Sequence, residues 1–387
     1  MGEVSVRGAV LCQTFGTCQL DTCDDVRHKG KPADVERGIP GEVRVKAIVI
    51  HEFGKSDVLR LEELPDPVAG PGEVVIDVTA TALNHLDIDV REGVSRFPIG
   101  FPHVLGVEPV GRISALGVGV EGWQIGDRVA PYLIATCGTC LYCRTGRESL
   151  CTAPDWFIGM GSGGAYAEKM KCKVSQLIRV PDGVTDVEAA ASHIAFGTAW
   201  HMLITRARLR SGEVVLVNSV GSGIGSAAVQ VAKHAGAFVI GTSSRDDKLA
   251  QAAELGMDVG VNYTSGDVVA EVMKATGDRG VDVVFEHVGG EAFQKGLDSL
   301  TKDGRLVICG AHSGEVVPFD VIPFFRKQLS VIGSFVFARA EVETCFGLVA
   351  RGALKPQLAA TFPLEEAGKA MDLMASRDFF GKIVLKP

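Results

Sequence analysis

The sequence predicts an α/β protein, a doubly wound parallel sheet joined to a barrel-like β unit. Three observations carry this. Residues 212–245 read as strand, glycine-rich turn, helix and strand. Beyond them, short apolar runs alternate with helical periodicity as far as residue 332. Before them, residues 45–132 hold short strand runs between Gly and Pro turn signals, the pattern of a barrel rather than a βα array.

In the central stretch, Val214–Val217 is a continuous apolar run, as in a strand buried on both faces. Gly221, Ser222, Gly223, Ile224 and Gly225 follow, where the chain must turn tightly and bare its backbone. Ile224, Ala227, Ala228, Val231, Ala232 and Ala235 recur at helical spacing, with Gln230, Lys233 and His234 on the opposite face. Gly236 ends the helix and residues 238–240 form a second buried strand. Such a βαβ unit places a pyrophosphate on a helix N-terminus, so a dinucleotide is expected at residues 221–225. Helices are predicted over 248–255, 268–275 and 292–300, and strands over 259–261, 281–285, 306–309 and 329–332. The tail, 363–387, predicts one amphipathic helix and a last strand at 382–385.

Regular structure is expected from residue 45. Residues 1–45 are polar and irregular, with Cys12, Cys18, Cys23 and His28 too loosely spaced for a zinc site. Pro65, Pro67, Gly70, Pro71 and Gly72 precede a strand at 74–78, and glycines from 106 to 126 cut the next stretch into short pieces. Cys137, Cys140 and Cys143 are spaced by two residues each, and Cys151 follows. Four thiolates with no spare ligand make a closed tetrahedral site, so a structural zinc is expected in a lobe over 137–151. Residues 163–180 read as strands, and a helix is expected from 187 through 203. The predicted organisation is an extension over 1–45, a catalytic domain over 46–195, a dinucleotide domain over 196–335 and a return to the catalytic domain over 336–387.

Composition bounds the function. With 46% hydrophobic and 22% charged residues, the chain reads as soluble and globular. A net charge of −8 without a basic stripe argues against a nucleic-acid partner. No apolar run reaches the ~18 residues of a membrane span. Residue 1 onward lacks the pattern of a signal peptide, so a reducing cytoplasm is expected, where clustered cysteines point to metal rather than disulfides.

The β unit, the cysteine lobe, the Gly-Ser-Gly-Ile-Gly turn and the returning tail together resemble the medium-chain dehydrogenase/reductase superfamily over residues 45–387. Gly223 and Gly225 followed by Gln230 and Lys233 are similar to its quinone oxidoreductase branch. The resemblance implies a GroES-like β-barrel catalytic domain, a Rossmann domain and a cleft between them. It also implies a homodimer or homotetramer built partly through residues 329–334, and cofactor contacts at Val288, Gly310, Ser334 and Lys382. Tyr263 resembles the phosphate-side Tyr of the superfamily.

The chain departs from the alcohol dehydrogenases of that superfamily at the catalytic metal. Their Cys-His-x-Asp reads Asn84-His85-Leu86-Asp87 here, and their Gly-His-Glu reads Gly106-Val107-Glu108. Their third ligand falls within Ser192-His193-Ile194-Ala195, which has no Cys. Valine cannot bind zinc and an amide is a poor substitute for thiolate, so no catalytic zinc is expected at that place. The alternative is an atypical site rearranged from His85, Asp87, Glu108 and His193.

Without a Lewis acid, hydride transfer to a quinone or to a C=C conjugated with a carbonyl is the easier reaction, needing hydrogen-bond donors where charge develops. Asn84 matches the Asn of the quinone oxidoreductase branch and is the expected donor. His85 or Asp89 is expected to relay a proton, although that branch often has Tyr where Asp89 stands. The second strand of the βαβ unit ends in Gly241, Thr242, Ser243, Ser244 and Arg245, with no acid for the ribose hydroxyls. Ser243 and Ser244 leave room for a 2′-phosphate that Arg245 and Lys248 can bind, so NADP(H) is the expected cofactor. The alternatives are a zinc-dependent alcohol dehydrogenase and a nucleotide-binding protein without chemistry.

Overall fold

The computed structural model describes residues 44–318 and 320–387; the cysteines and histidine singled out before residue 44 lie outside them. The barrel half is built from β1 (Arg44–Ile50), β2 (Arg60–Pro65), β3 (Glu73–Ala82), β4 (His103–Val104), β5 (Glu108–Leu116), β6 (Arg128–Pro131), β7 (Ile134–Ala135), β8 (Trp156–Phe157), β9 (Lys169–Lys173) and β10 (Leu177–Arg179). The nucleotide half carries β11 (Val214–Val217), β12 (Phe238–Ser243), β13 (Val259–Asn262), β14 (Val281–Glu286), β15 (Leu300–Ile308) and β16 (Ser330–Gly333). Two last strands, β17 (Leu358–Pro363) and β18 (Lys382–Lys386), return to the barrel. The helices are α1 (His85–Glu92), α2 (Leu141–Arg144), α3 (Asp186–Trp200), α4 (Gly223–His234), α5 (Asp246–Glu254), α6 (Val268–Ala275), α7 (Gly290–Ser299), α8 (Val321–Arg326), α9 (Arg339–Ala350) and α10 (Ala367–Ser376).

The nucleotide sheet runs β13-β12-β11-β14-β15-β16, parallel at every pairing. Strand order reverses between β11 and β14, and in such sheets a ligand binds beyond the carboxyl ends at that reversal. Helices on both faces explain why β11 and β14 are apolar without alternation: Val215, Leu216, Val217, Val283, Val284 and Phe285 are all fully buried. The barrel sheet runs β10-β6-β5-β3-β18-β17, with β9 also on β3, so the tail completes the first half of the molecule.

Two local readings need correction. Helix α1 was not foreseen, because its inward face carries Asp87 and Arg91 beside Val90 and so hides the apolar period. Asp87 Oδ2 accepts the Asn84 backbone N–H at 2.8 Å to start the helix, and Gly93, left-handed at φ +77°, ends it. Helix α3 runs to Trp200 and continues as a π-helix over His201–Arg206, so the stretch stays helical through 203 as expected and only its hydrogen-bond spacing changes. Gln230 is buried, not exposed: its amide donates to Lys355 O at 2.9 Å and accepts from Lys355 N at 2.8 Å.

Candidate active site

The glycine-rich turn lies at the carboxyl end of β11, where the sheet order reverses. Ser222 caps α4, its Oγ accepting the Gly225 N–H at 3.0 Å. The amides of Gly223 and Ile224, ahead of the intrahelical ladder, are the donors available to an anion. A Cβ on Gly223 would stand 2.5 Å from Lys382 Cδ, so this glycine is needed as much by the lysine stem as by any phosphate. Ser243 is buried at the end of β12, and Tyr263 is exposed beyond β13 with its N–H on Ser243 O at 3.1 Å. These residues fit a dinucleotide.

Several expected cofactor contacts are already engaged within the protein. Lys382 Nζ has all three hydrogens placed, on Leu83 O at 2.6 Å, Asn84 Oδ1 at 2.9 Å and Glu108 Oε2 at 2.7 Å. It is no free phosphate ligand. The Val288 N–H is turned back on Glu286 Oε1, and its carbonyl accepts from Ser313 N and Oγ. Gly310 packs against His287 O, and the Ser334 N–H is used on Ile308 O at 2.8 Å.

Where β3, β5 and α3 converge, the residues in the catalytic-metal positions of the superfamily are assembled differently. The carboxylate of Glu108 is fully buried. One oxygen takes the Lys382 ammonium and the Asn84 Nδ2–H at 2.9 Å; the other takes the Ile194 N–H at 2.5 Å. Burial raises the Glu108 pKa against the lowering pull of Lys382. Because an ammonium only donates and a carboxylate only accepts, the Asn84 amide is oriented unambiguously. Its remaining hydrogen goes to Ala82 O at 3.3 Å. The expectation that Asn84 donates to substrate is therefore corrected: both amide hydrogens point into the protein.

The residues of the rearranged metal site are not brought together either. Asp87 turns to Tyr166 Oη at 3.0 Å, and burial lifts its pKa to about 7. His193 packs between Phe337 and Phe346 with both ring nitrogens unpartnered, and burial, then Lys382, drops its pKa to about 3. Among the described residues, the single cluster of metal-ligating groups is Cys137, Cys140, Cys143 and Cys151, whose sulfurs all lie within 4.8 Å of one another. The Cys137–Cys143 and Cys140–Cys143 sulfurs are 3.9 and 3.5 Å apart. A zinc–sulfur tetrahedron with bonds of ~2.3 Å has edges of ~3.8 Å, so the lobe fits a structural zinc. Backbone amides of Cys140 and Cys143 point at Cys137 Sγ and Cys140 Sγ, as thiolates require.

The seam between the halves brings His85 and Asp89 of α1 to a third residue not foreseen, His312, on the loop after β15. The two imidazoles have centroids 5.0 Å apart, and His312 Nδ1 is 3.9 Å from Asp89 Oδ2. Burial, followed by His312, Arg377, His287 and Lys382, lowers the His85 pKa to about 4; burial raises that of Asp89. A second unforeseen cluster floors the seam: Glu286, buried at the end of β14, accepts the Asn218 amide and the Val288 and Gly289 N–H groups, while His287 Nε2 meets Asn218 O at 3.0 Å. An acid closing the apolar run of residues 281–286, and a histidine in the glycine-bounded stretch after β15, were the signals available.

Comparisons with known proteins agree with this architecture. Residues 70–182 match the family model described as alcohol dehydrogenase GroES-like domain, and residues 223–351 match zinc-binding dehydrogenase. An acryloyl-coenzyme A reductase of Sulfurisphaera tokodaii is 32% identical, covering 89% of this chain and all of its own. A 2-haloacrylate reductase of a Burkholderia species is 32% identical over 89% of this chain and 99% of its own. A crystal structure of an NAD-dependent alcohol dehydrogenase superposes with a TM-score of 0.83 at 38% identity, covering 88% of this chain and 99% of that one. Helix α4 and its glycine turn, the barrel half and these relatives together show that the chain belongs to the medium-chain dehydrogenase/reductase superfamily, as an oxidoreductase with a GroES-like and a Rossmann domain.

Proposed function

We propose that this chain is an NADP(H)-dependent reductase of C=C bonds conjugated with a carbonyl, quinones included, that works without a catalytic metal. The observation that carries the reading is the filled ligand place. Asn84, Val107 and the stretch 192–195 supply no thiolate, and the nearest carboxylate is saturated by Lys382, Asn84 and a backbone N–H. The two relatives named for acrylate-type substrates support the same class of acceptor. Zinc-dependent alcohol oxidation is the second reading, favoured by the likeness to the alcohol dehydrogenase structure.

A bound nicotinamide supplies the hydride. In the chain itself, the buried Lys382–Glu108–Asn84 knot fixes the start of α1, and α1 presents His85 and Asp89 at the seam. After addition at the β-carbon, the electron pair settles on the carbonyl oxygen and the α-carbon must take a proton. His85 is held neutral, and its two nitrogens let it pass a proton on while Asp89 and His312 connect it towards solvent. Asn84 acts here as a positioning residue. Arg245 and Lys248, with small Ser243 and Ser244 before them, favour the 2′-phosphate of NADP(H). Val331, exposed on the free edge strand β16, and Phe335 beyond it suit the self-association expected for a homodimer or homotetramer. No described helix is long and apolar enough to cross a membrane; thiols that coordinate zinc rather than pair suit the cytoplasm.

A substrate panel followed by loss of reduced nicotinamide tests the reading. Acryloyl thioesters, enones or quinones should turn over far faster than simple aldehydes, ketones or alcohols. His85→Phe should lower kcat by about 10²-fold, the scale of a lost proton-transfer group, with little change in cofactor affinity. Alcohol turnover that needs a second zinc per chain would favour the second reading.

A further inference from the structure

The NADP(H) reading leaves one side chain to explain. Arg245 stands at the end of β12, yet its guanidinium is occupied. Its Nε and Nη2 fork Asp247 at 2.9 and 2.6 Å, and its Nη1 is in close contact with Asp378. Asp247 is a local partner, two residues on in the first turn of α5. Asp378 is of another kind: it lies just past α10, in the segment that returns to the barrel half.

That segment follows the nucleotide edge closely. Lys248 Nζ donates to Arg377 O at 2.5 Å and sits 5.9 Å from the Phe379 ring centroid. The Gly381 N–H donates to Gly221 O at 3.0 Å, and the Lys382 stem lies on Gly223. The chain after α10 thus runs from the strand end at Arg245 to the glycine turn, and Asp378 is its carboxylate at the former.

We infer that Asp378 is a specificity-determining residue that restrains the preference for NADP(H) over NAD(H). The inference rests on the cofactor reading above. Arg245 and Lys248 carry two positive charges, Asp247 and Asp378 two negative ones, and two minus two leaves no net charge for a phosphate dianion. Asp378 competes for the same guanidinium and repels the phosphate, whereas a ribose with free hydroxyls meets neither penalty. The bridge is easily exchanged, since Arg245 and Asp378 are 47% and 67% exposed and such pairs hold weakly. The cofactor lacking the 2′-phosphate leaves the bridge intact.

Titration calorimetry on the full chain tests this without turnover, using NADP⁺, NAD⁺, 2′,5′-ADP and 5′-AMP. Asp378→Asn should tighten NADP⁺ and 2′,5′-ADP by about three- to five-fold, the scale of one exposed ion pair, and leave NAD⁺ and 5′-AMP within about two-fold. Asp378→Lys should exceed that gain, and adding Arg245→Ala to Asp378→Asn should remove most of it. A melting curve confirms that each variant folds. Unchanged 2′,5′-ADP binding in Asp378→Asn, or equal shifts for phosphorylated and unphosphorylated ligands, would overturn the inference. Arg245→Ala alone separates the two levels: weaker 2′,5′-ADP binding keeps the 2′-phosphate site, while indifference to the 2′-phosphate in both wild type and Arg245→Ala removes that reading too.

Discussion

The cysteine lobe and the inner end of the cleft solve the same physical problem by opposite means. Both must hold polar, charge-bearing side chains in a fixed arrangement. At the lobe, four sulfurs stand within 4.8 Å of one another on a loop poor in buried apolar side chains, an arrangement that fits a bound cation. At the cleft, the cation belongs to the chain. Lys382 reaches from β18 to place all three hydrogens on acceptors in the β3–α1 turn and at the start of β5, and Glu108 and Asn84 close the knot. A site that a metal would hold depends on what is bound; a lysine-held site depends on its partners.

The largest effect should separate the two at once. Stripping metal with a chelator, or replacing Cys140 with Ser, should unfold the lobe and lower the melting temperature steeply, since structural zinc contributes folding free energy directly, about 10 kcal/mol or more in zinc-finger peptides. Metal analysis should return about one zinc per chain, and the folded fraction should keep its turnover. Loss of turnover at a constant melting temperature would place a working metal in the cleft and break the comparison.

Next comes the knot itself. Lys382→Met leaves the Glu108 carboxylate buried without its counter-charge, a change that costs about 3–5 kcal/mol. Combining it with Glu108→Leu should recover much of that loss, because an apolar pair of similar volume needs no charge compensation. Denaturant unfolding of the two single variants and the double variant reads the coupling directly. Asn84→Ala should cost less, roughly 1–3 kcal/mol, by leaving one Lys382 hydrogen and one Glu108 oxygen short of a partner. If Asn84 only positions α1, Asn84→Asp should fail to rescue, since a carboxylate cannot donate to Glu108. Asn84→Gln should rescue turnover in part.

How much of this could be read from residues follows the same division. The lobe was legible because metal spacing is local: Cys137, Cys140, Cys143 and Cys151 lie within one short stretch. The glycine turn was legible for the same reason, strand, turn and helix being consecutive. The knot was half legible. Val107 and the missing Cys at Asn84 announce that a metal set is incomplete, but nothing near them names Lys382, 274 residues from Glu108 in sequence. His312 and Asp378 were hidden likewise, because each acts only once the tail or the β15 loop packs against the other half. The direction of the Asn84 amide was beyond composition altogether: it is decided by which neighbour can only donate and which can only accept.

The smallest effect concerns the imidazole beside the knot. His193 is fully buried against Phe337 and Phe346, and its pKa falls from 6.5 to about 3, by burial first and Lys382 second. The folded chain therefore holds it neutral while the unfolded chain protonates it below about pH 6.5. The unfolded state then binds more protons, so stability falls as pH drops from 6.5 towards 3. Between pH 7 and pH 5 the histidine alone costs up to about 2 kcal/mol by this linkage. His85 and His287, both lowered to about 4, act with the same sign, whereas Asp87, raised to about 7, makes the fold more stable as pH falls. The net profile mixes these groups, but the difference between wild type and His193→Phe isolates one of them. At pH 7 that variant should be no less stable, since two unpartnered buried nitrogens are replaced by ring carbons in an aromatic setting. At pH 5 it should be more stable by up to about 2 kcal/mol in denaturant unfolding. An equal offset at both pH values would mean that His193 titrates alike in the folded and unfolded chains, and that the ring is solvated where the structure has it dry.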